Sequence, residues 1–266
     1  MKLFDKQNDR LIFIENSPTE EFWSDHWLEN EEYEKGVRLG AMPGMIKRYT
    51  EKFLQKPARV IDAGCGIGQN VYGLQKWGYE GYGIDFTDKV IKKTKELFPE
   101  LNVLTMDVRD LHFQDNYFNG YWSLGVIEHF REGYDPIIKE AKRVIAKDGY
   151  LFVTIPWFSP LRRLKARLGI FQRYSPDIPM NNFYEYMLSD SVVVRDIEKQ
   201  GFTCVLRHPY DAVKGLKDEV RFLSGPLRYI YRKQGMFFKG VRFVLTAMFA
   251  PFAGHIILLV FKKTSE

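Results

Sequence analysis

The sequence is poor in cysteine, and this excludes several classes of protein. Only two of its 266 residues are cysteines, Cys65 and Cys204, and no CxxC pair or Cys/His cluster occurs. A disulfide scaffold and a structural zinc site are therefore excluded. The opening residues are too polar for a signal peptide, and no repeat or low-complexity stretch occurs. We expect a soluble, cytoplasmic protein.

Hydrophobic residues make up 45% of the chain and charged residues 27%, which excludes a disordered protein. The apolar content is sufficient for one large α/β domain or two small ones. Charge is unevenly placed, because residues 156–266 carry 18 Lys and Arg against 9 Asp and Glu. This asymmetry indicates either an anionic partner for the C-terminal half or an ordinary solvated basic face.

Short β-branched runs alternate with helical segments from Arg59 onward, a rhythm typical of a parallel sheet with helices on both faces. We predict an α/β fold with a doubly wound, mostly parallel, seven-stranded Rossmann-like sheet. The predicted strands are 59–63, 80–84, 103–106, 119–124, 149–155, 202–207 and 255–262. The predicted helices are 68–77, 88–97, 135–144 and 191–200.

The remaining segments interrupt this rhythm. Residues 1–50 are aromatic and acidic and are predicted to form an N-terminal helical lid segment, with the main domain spanning 51–266. Helical insertions at about 157–190 and 210–252 break the pattern toward the C-terminal end. Since long loops at a sheet edge often carry function, we expect these two insertions to form a substrate lid.

A glycine-rich loop is the most informative stretch of the sequence. The apolar run before Asp62 leads into glycines at 64, 66 and 68, and Asp85 ends the next predicted strand. Glycines allow a sharp turn and close approach to a ligand, and an acid at this distance can bind ribose hydroxyls. A dinucleotide site would have its third glycine where Gln69 stands. The spacing therefore favours a cofactor without pyrophosphate, with an NAD-type oxidoreductase as the alternative.

Five segments within residues 59–156 resemble those of class I S-adenosylmethionine-dependent methyltransferases. They are Asp62-Ala-Gly-Cys-Gly-Ile-Gly68, Gly83-Ile-Asp85, Met106-Asp-Val-Arg-Asp-Leu111, the strand segment ending in Ser123-Leu-Gly-Val-Ile-Glu-His129, and Lys142-Arg-Val-Ile-Ala-Lys-Asp-Gly-Tyr-Leu151. The resemblance covers slightly more than a third of the chain. It implies S-adenosyl-L-methionine as the cofactor and leaves the acceptor open.

The resemblance also implies roles for individual residues. Asp62 would contact the amino end of the cofactor, and Asp85 would bind its ribose. Adenine would lie beside Phe86, with Asp107 accepting a hydrogen bond from its amino group and the Val108 amide contacting the ring. The methionine portion would lie against residues of the glycine loop and of the fourth strand's end, namely Gly64, Cys65, Gly66, Gly68, Leu124 and Gly125.

His129 is the candidate catalytic residue, because it follows the end of the fourth strand, where open α/β sheets bind ligands. An oxygen nucleophile needs a base nearby, and histidine suits that role. The alternative is a histidine that packs against the sheet. Glu128 and His129 are also similar to a segment of ubiquinone-biosynthesis O-methyltransferases, which have a further glutamate where Gly125 stands. With that carboxylate missing, we expect no metal.

Trp23, His26 and Trp27 form an aromatic group near the N-terminus. In many small-molecule members of the family, an aromatic N-terminal segment folds across the cofactor. An amphipathic helix that packs its aromatic side chains onto the core explains the same pattern equally well.

Two basic segments in the C-terminal half indicate what kind of partner the protein could bind. In 160–168, Leu161, Leu164 and Leu168 share one helical face, and basic side chains at 162, 163, 165 and 167 share the other. Such a helix suits an anionic membrane or acceptor, although an ordinary surface helix has the same pattern. Residues 221–250 repeat the mixture of basic and apolar side chains.

Residues 243–261 carry no formal charge, which raises the question of a membrane span. Pro251, Gly254 and His255 lie in the middle of this run. We therefore predict a helix to about residue 250, followed by a turn and a buried strand, and no span.

The sequence predicts a methyltransferase that acts on a small-molecule, glycan or lipid-linked acceptor. The basic segments are compatible with an anionic acceptor. We expect the methyl group to be transferred to an oxygen or carbon atom. The Asn/Asp-Pro-Pro-Tyr signature of amino-group methylation is absent, and no nucleic-acid module occurs. We expect no nucleic-acid partner and expect peripheral contact with the inner face of a membrane through 160–168 and 221–250. The alternatives are a membrane-peripheral cofactor-binding module without turnover and an NAD-type oxidoreductase.

Overall fold

The computed structural model describes residues 1–15, 17–29, 33–38, 44–233 and 235–264. Its strands are β1 (Lys2–Asp5), β2 (Arg10–Ile14), β3 (Arg59–Ala63), β4 (Glu80–Asp85), β5 (Asn102–Thr105), β6 (Phe118–Leu124), β7 (Ile145–Pro156), β8 (Gln172–Arg173), β9 (Phe183–Met187), β10 (Phe202–Tyr210) and β11 (Ile256–Lys263). Its α-helices are α1 (Glu20–Leu28), α2 (Tyr33–Arg38), α3 (Gly44–Phe53), α4 (Gln69–Lys76), α5 (Asp88–Leu97), α6 (Asp135–Val144), α7 (Pro160–Arg167), α8 (Asp190–Glu198), α9 (Ala212–Glu219), α10 (Ser224–Arg232) and α11 (Met236–Ala253).

The central sheet has seven strands in the order β10-β11-β7-β6-β3-β4-β5 and is mostly parallel. This confirms the predicted sheet. The strands β6, β3, β4 and β5 pair in parallel, and their register places Ala63 opposite both Ile84 and Ser123. From β3 the chain continues to β4 on one side, whereas β6 lies on the other. The strand order therefore reverses between β3 and β6, the place where open α/β sheets bind ligands.

Helix α6 shows how a local sequence pattern determines a helix that packs beside the central sheet. Its apolar residues Ile137, Ile138, Ala141 and Val144 are buried, at the spacing of one helical face. A proline occupies the first helical turn, where no backbone donor is needed. The observed bounds of α5 and α6 are those predicted from this periodicity.

The chain divides into two compact units. The first unit comprises Met1–Asn16, Thr154–Arg195 and Leu206–Leu259; the second comprises Ser17–Val153, Asp196–Val205 and Val260–Glu266. The first unit has a four-stranded sheet in the order β8-β1-β2-β9, with a small core that includes Leu11, Phe158 and Met187. The second unit contains the glycine loop and a core that includes Cys65, Ile67 and Val71. The two predicted insertions therefore belong largely to one unit.

The N-terminal segment differs from the prediction of a helical lid over residues 1–50. Residues 2–14 form an antiparallel hairpin, in which Leu3 pairs with Ile12, and β2 also pairs with β9. Helices begin only at Glu20. Residues 30–32 and 39–43 of the predicted segment lie outside the described residues. The hairpin forms because Leu3, Leu11 and Ile12 are buried against strands far along the chain.

In 160–168, burial does not follow the predicted apolar and basic faces. Leu161 and Arg162 are both buried in α7, whereas Leu164 and Arg167 are both exposed, and Leu168, just beyond the helix, is 68% exposed. The carboxylate of Glu219 explains the burial of Arg162: its Oε1 accepts from Arg162 Nε at 3.0 Å and from Lys2 Nζ at 2.6 Å, and its Oε2 accepts from Lys165 Nζ at 2.5 Å. Arg162 and Lys165 are therefore bound to a buried acid of the same unit and are not available to lipid headgroups.

The last helix and strand agree with the prediction in kind. Helix α11 continues to Ala253, and β11 follows with Leu258, Leu259 and Val260 fully buried. By length and composition, α11 is the one helix of the described residues long and apolar enough to cross a membrane, and only 11% of it is buried.

Candidate functional site

The candidate site lies in the second unit, where β3, β4 and β6 end. The strands end at Ala63, Asp85 and Leu124, and the glycine loop begins directly after Ala63. Because these strands are parallel neighbours, the segments that follow them lie at one edge of the sheet. The structure thus brings the predicted first, second and fourth motifs together.

The three loop glycines all have left-handed backbone conformations. Their φ values are 87° at Gly64, 50° at Gly66 and 75° at Gly68. A Cβ atom at Gly64 would lie 2.5 Å from Val126, and one at Gly66 would lie 2.7 Å from Trp27. At these positions both conformation and space exclude any side chain. Glycine at 64 and 66 therefore lets Val126 and Trp27 pack directly against the loop backbone.

Asp85 fixes the shape of the glycine loop. Its carboxylate is buried, and its Oδ2 accepts from the Gly66 amide at 2.8 Å. Its Oδ1 accepts from the amide of Thr87 at 3.0 Å and from the hydroxyl of Thr87 at 2.7 Å. A carboxylate offers about four acceptor positions, so Asp85 retains one for a further donor. Its predicted role on a ribose hydroxyl is compatible with this geometry.

Asp62 is a buried carboxylate with an unmet hydrogen-bonding capacity. Its Oδ2 accepts from Asn70 Nδ2 at 3.0 Å, whereas Asp62 Oδ1 and Asn70 Oδ1 have no partner among the described residues. Burial raises the pKa of Asp62 to about 7; the Asn70 hydrogen bond opposes this rise and nearby Asp85 adds to it. Two buried acceptors beside an acid fit a cationic donor such as an ammonium group.

Asp107 follows β5 and is held by a residue that the sequence analysis did not single out. Arg109 donates from Nε to Asp107 Oδ1 at 2.9 Å and from Nη2 to Oδ2 at 2.5 Å. This guanidinium holds the pKa of the Asp107 carboxyl below its usual range. Any adenine amino group bound by Asp107 must therefore share an oxygen with Arg109.

The other predicted cofactor residues differ in exposure. Val108 and Cys65 are buried, and burial raises the pKa of the Cys65 thiol. Phe86 is 45% exposed directly after β4, which leaves one ring surface available for stacking. Leu124 is half-buried, and Gly125 has a φ of 68°. Their predicted roles toward the cofactor remain predictions.

Helix α1 places aromatic side chains on the glycine loop. The Trp27 ring lies against Gly66 and packs onto the core around Cys65 and Ile67. The His26 ring is 5.6 Å from that of Trp23 and 5.0 Å from that of Trp27. Trp27 is therefore packed onto the core, as one of the two interpretations predicts, and the other, in which the segment folds across the cofactor, stays a prediction.

His129 lies in a single 3-10 turn, Ile127–His129, just beyond β6. Its ring is half-buried and contacts the Trp23 ring edge-to-face, with 5.2 Å between the centroids. The contact with α1 limits the orientations that this imidazole can adopt. Both predicted explanations, a base and a packed histidine, remain compatible with its position.

Asn70, Thr87 and Arg109 are the site residues that sequence reasoning missed. Each forms a hydrogen bond to one of the predicted acids, Asp62, Asp85 or Asp107. For Thr87 and Arg109 the signal was present, since each stands two residues after its acid. Asn70 stands eight residues after Asp62, and only the turn of the glycine loop brings the two together.

The part of the chain that carries this site is similar in sequence, and the fold is similar in structure, to known methyltransferases. Residues 61–153 match the family described as "Methyltransferase domain". The fold is similar to that of an S-adenosylmethionine-dependent methyltransferase from Archaeoglobus fulgidus, at 15% identity with a TM-score of 0.56, covering 90% of this chain and all of the other. It is also similar to 1,6-didemethyltoxoflavin-N1-methyltransferase of Burkholderia thailandensis, at 13% identity with a TM-score of 0.54, covering 99% of each chain.

A curated relative shares a shorter segment. A protein of Caenorhabditis briggsae named "Probable tRNA (uracil-O(2)-)-methyltransferase" is 34% identical over 70 residues, or 26% of this chain. The matched part spans 12% of that relative. The similarity to this relative therefore concerns a small part of both proteins.

Proposed function

We propose that residues 61–153 form a class I S-adenosylmethionine-dependent methyltransferase domain, and that the chain transfers a methyl group from this cofactor to a hydroxyl oxygen of a small-molecule, glycan or lipid-linked acceptor. The observation that carries the cofactor assignment is the pair of unpartnered, buried acceptors on Asp62 and Asn70. S-adenosylmethionine has an ammonium group that supplies the missing donors. A nicotinamide dinucleotide has no ammonium group, which disfavours the oxidoreductase alternative.

The residues of the second unit fit the remaining parts of the cofactor. Asp85 retains an acceptor position for a ribose hydroxyl, and its Oδ2 accepts from the Gly66 amide at 2.8 Å, which holds it at the glycine loop. Phe86 presents a ring surface to adenine, next to the polar edge formed by Asp107. When bound, the cofactor supplies an electrophilic methyl group on a cationic sulfur.

The role we propose for His129 concerns the proton of the acceptor. A hydroxyl that forms a bond to the methyl carbon must release its proton, and a ring nitrogen of His129 accepts it. The contact with Trp23 holds the imidazole in place during this transfer. The Ser123-Leu-Gly-Val126 segment, which stands in place of the signature of amino-group methylation, supports oxygen or carbon as the acceptor atom, and we propose oxygen because His129 supplies a base.

The test is a transfer assay with S-adenosylmethionine labelled in its methyl group. The protein is incubated with lipid, water-soluble metabolite or RNA extracts of the organism that encodes the chain, and label is measured in each fraction. We expect label in the lipid or metabolite fraction. Label confined to RNA would overturn the proposed acceptor class, and cofactor binding without label in any fraction would identify a binding module.

His129→Ala tests the proposed base, with His112→Ala as the matched control. His112 is an exposed histidine of the same unit, with 74% of its side chain accessible. We expect His129→Ala to lower turnover by about 10²–10⁴-fold with unchanged cofactor affinity, and added imidazole to restore part of it. Equal effects of the two substitutions would exclude His129 as the base.

A further inference from the structure

Helix α11 of the first unit exposes an apolar face along its entire length. The exposed positions on this face are Met236, Phe237, Gly240, Phe243, Val244, Ala247, Met248, Pro251 and Phe252. They recur at intervals of three and four residues, so they form one continuous stripe. The largest of them are very open, with Met236 at 88%, Phe237 at 75% and Phe243 at 74% exposure. Contiguous exposed apolar surface of this extent marks an interaction site.

The other side of α11 is held by neighbouring helices of the same unit. Arg242 Nη1 donates to the carbonyl oxygens of Ile230 and Lys233, both at 2.8 Å, which ties the middle of α11 to the end of α10. At its last turn, a Cβ atom on Gly215 of α9 would lie 1.8 Å from the Ala253 oxygen. Since α9 and α10 flank α11 in this way, the helix lies on its own unit and does not stand alone as a span.

The chain segment that contains this stripe is rich in basic residues and poor in acidic ones. No Asp or Glu occurs between Glu219 and Glu266. The exposed basic residues of α10, α11 and the adjoining turns are Arg221, Arg228, Arg232, Lys233 and Lys239. Exposed aromatic rings accompany them, with Phe222 at 81% exposure. An apolar helical face bordered by cations and aromatic rings is the pattern of a helix that lies in a membrane interface.

We propose that α10 and α11 form a membrane-docking surface, with α11 lying in the plane of a bilayer that contains anionic phospholipids. The acyl region receives the apolar stripe, and the headgroup phosphates pair with the basic residues. A second copy of this chain is a poorer occupant. In a two-fold contact the same surface lies on both partners, so the basic side chains of one copy, such as Arg228, Arg232 and Lys239, would approach the basic surface of the other.

The test is co-sedimentation of the full chain with vesicles of phosphatidylcholine alone or mixed with phosphatidylglycerol. We expect binding to the mixed vesicles that weakens at high salt. Phe243→Glu and Met248→Glu should each lower the partition coefficient by about tenfold or more, because each removes a buried apolar side chain from the lipid. Arg228→Gln and Arg232→Gln should each lower it about fivefold on mixed vesicles.

Val205→Glu is the matched control, because Val205 is an exposed apolar residue on β10 at 43% exposure. This substitution should leave vesicle binding unchanged. Far-UV circular dichroism and S-adenosylhomocysteine binding show that each variant is folded. No binding of the native chain to mixed vesicles would overturn the proposal. A native dimer that Phe243→Glu converts to a monomer, without vesicle binding, would also overturn it and identify a second copy as the occupant.

Discussion

Replacing Asp62 by asparagine should stabilise the cofactor-free protein and weaken cofactor binding at the same time. Burial raises the pKa of Asp62 from 3.8 to about 7, so the folded state holds this proton more tightly than the unfolded chain. Ionisation of Asp62 therefore lowers the free energy of unfolding progressively as pH rises from about 4 to about 7, and this destabilisation reaches its full size above pH 7. A rise of about three units corresponds to a loss of about 4 kcal/mol.

The amide introduced by Asp62→Asn carries no charge, so this loss disappears. Above pH 7 the free variant should be more stable by up to about 4 kcal/mol, an increase in Tm of up to roughly 8–16 °C at about 2–4 °C per kcal/mol. The amide is a poorer acceptor for an ammonium group, and a hydrogen bond to a charged group contributes about 1.5–3 kcal/mol. Affinity for S-adenosylmethionine should fall by about 10- to 150-fold.

Thermal unfolding between pH 5 and pH 9 checks the first effect, and titration calorimetry with S-adenosylmethionine and S-adenosylhomocysteine checks the second. In the native protein, affinity should fall as pH drops below about 7, because Asp62 must lose its proton to bind the ammonium group. The variant should lose this dependence. Asp88→Asn is the control, since Lys92 holds the pKa of that exposed carboxyl below its usual range. A less stable free variant with native affinity would refute the role of Asp62.

Three other substitutions test separate parts of the structure. Gly66→Ala should lower stability by about 1–2 kcal/mol and weaken cofactor binding, because φ is 50° and the new Cβ would lie 2.7 Å from Trp27. In a double-mutant cycle, adding Trp27→Ala should recover part of this lost stability. Glu219→Gln should cost about 3–5 kcal/mol in chemical denaturation, because it leaves the fully buried Arg162 guanidinium without its carboxylate. Burial opposes ionisation of Glu219, but the surrounding cations lower its pKa to about 2. The stability that Glu219 contributes to the folded protein is therefore fully present above about pH 4.5 and should be lost as pH falls toward 2. In the pH profile of turnover, His129→Gln should remove the limb that reports the base, whereas a retained limb would assign the base elsewhere.

The central sheet could be predicted from the sequence because its signals are local. The glycine loop requires glycine at three left-handed positions, and the periodicity of α5 and α6 appears within ten residues each. Parallel strands buried on both sides are apolar runs, so β3 could be delimited from its own residues.

The first unit could not be predicted in this way, because its elements depend on distant residues. The burial of Arg162 in α7 depends on Glu219, 57 residues further along the chain. The pattern of a helix separates its polar and apolar faces, but it could not show that Arg162 is buried together with Leu161. The hairpin of β1 and β2 escaped notice for the same reason, since β9 supplies its partner from Phe183 onward.

The split composition of the first unit has a consequence for synthesis of the chain. The strands β1 and β2 are translated by residue 14, but β9 begins only at Phe183. At roughly 5–20 residues per second, the ribosome needs on the order of ten seconds to reach it. During this interval both outer edges of the hairpin expose unpaired backbone groups, the kind of surface that promotes wrong strand pairing. A chaperone that covers β1 and β2 until β9 emerges would therefore act on the yield of this protein far more than on its final stability.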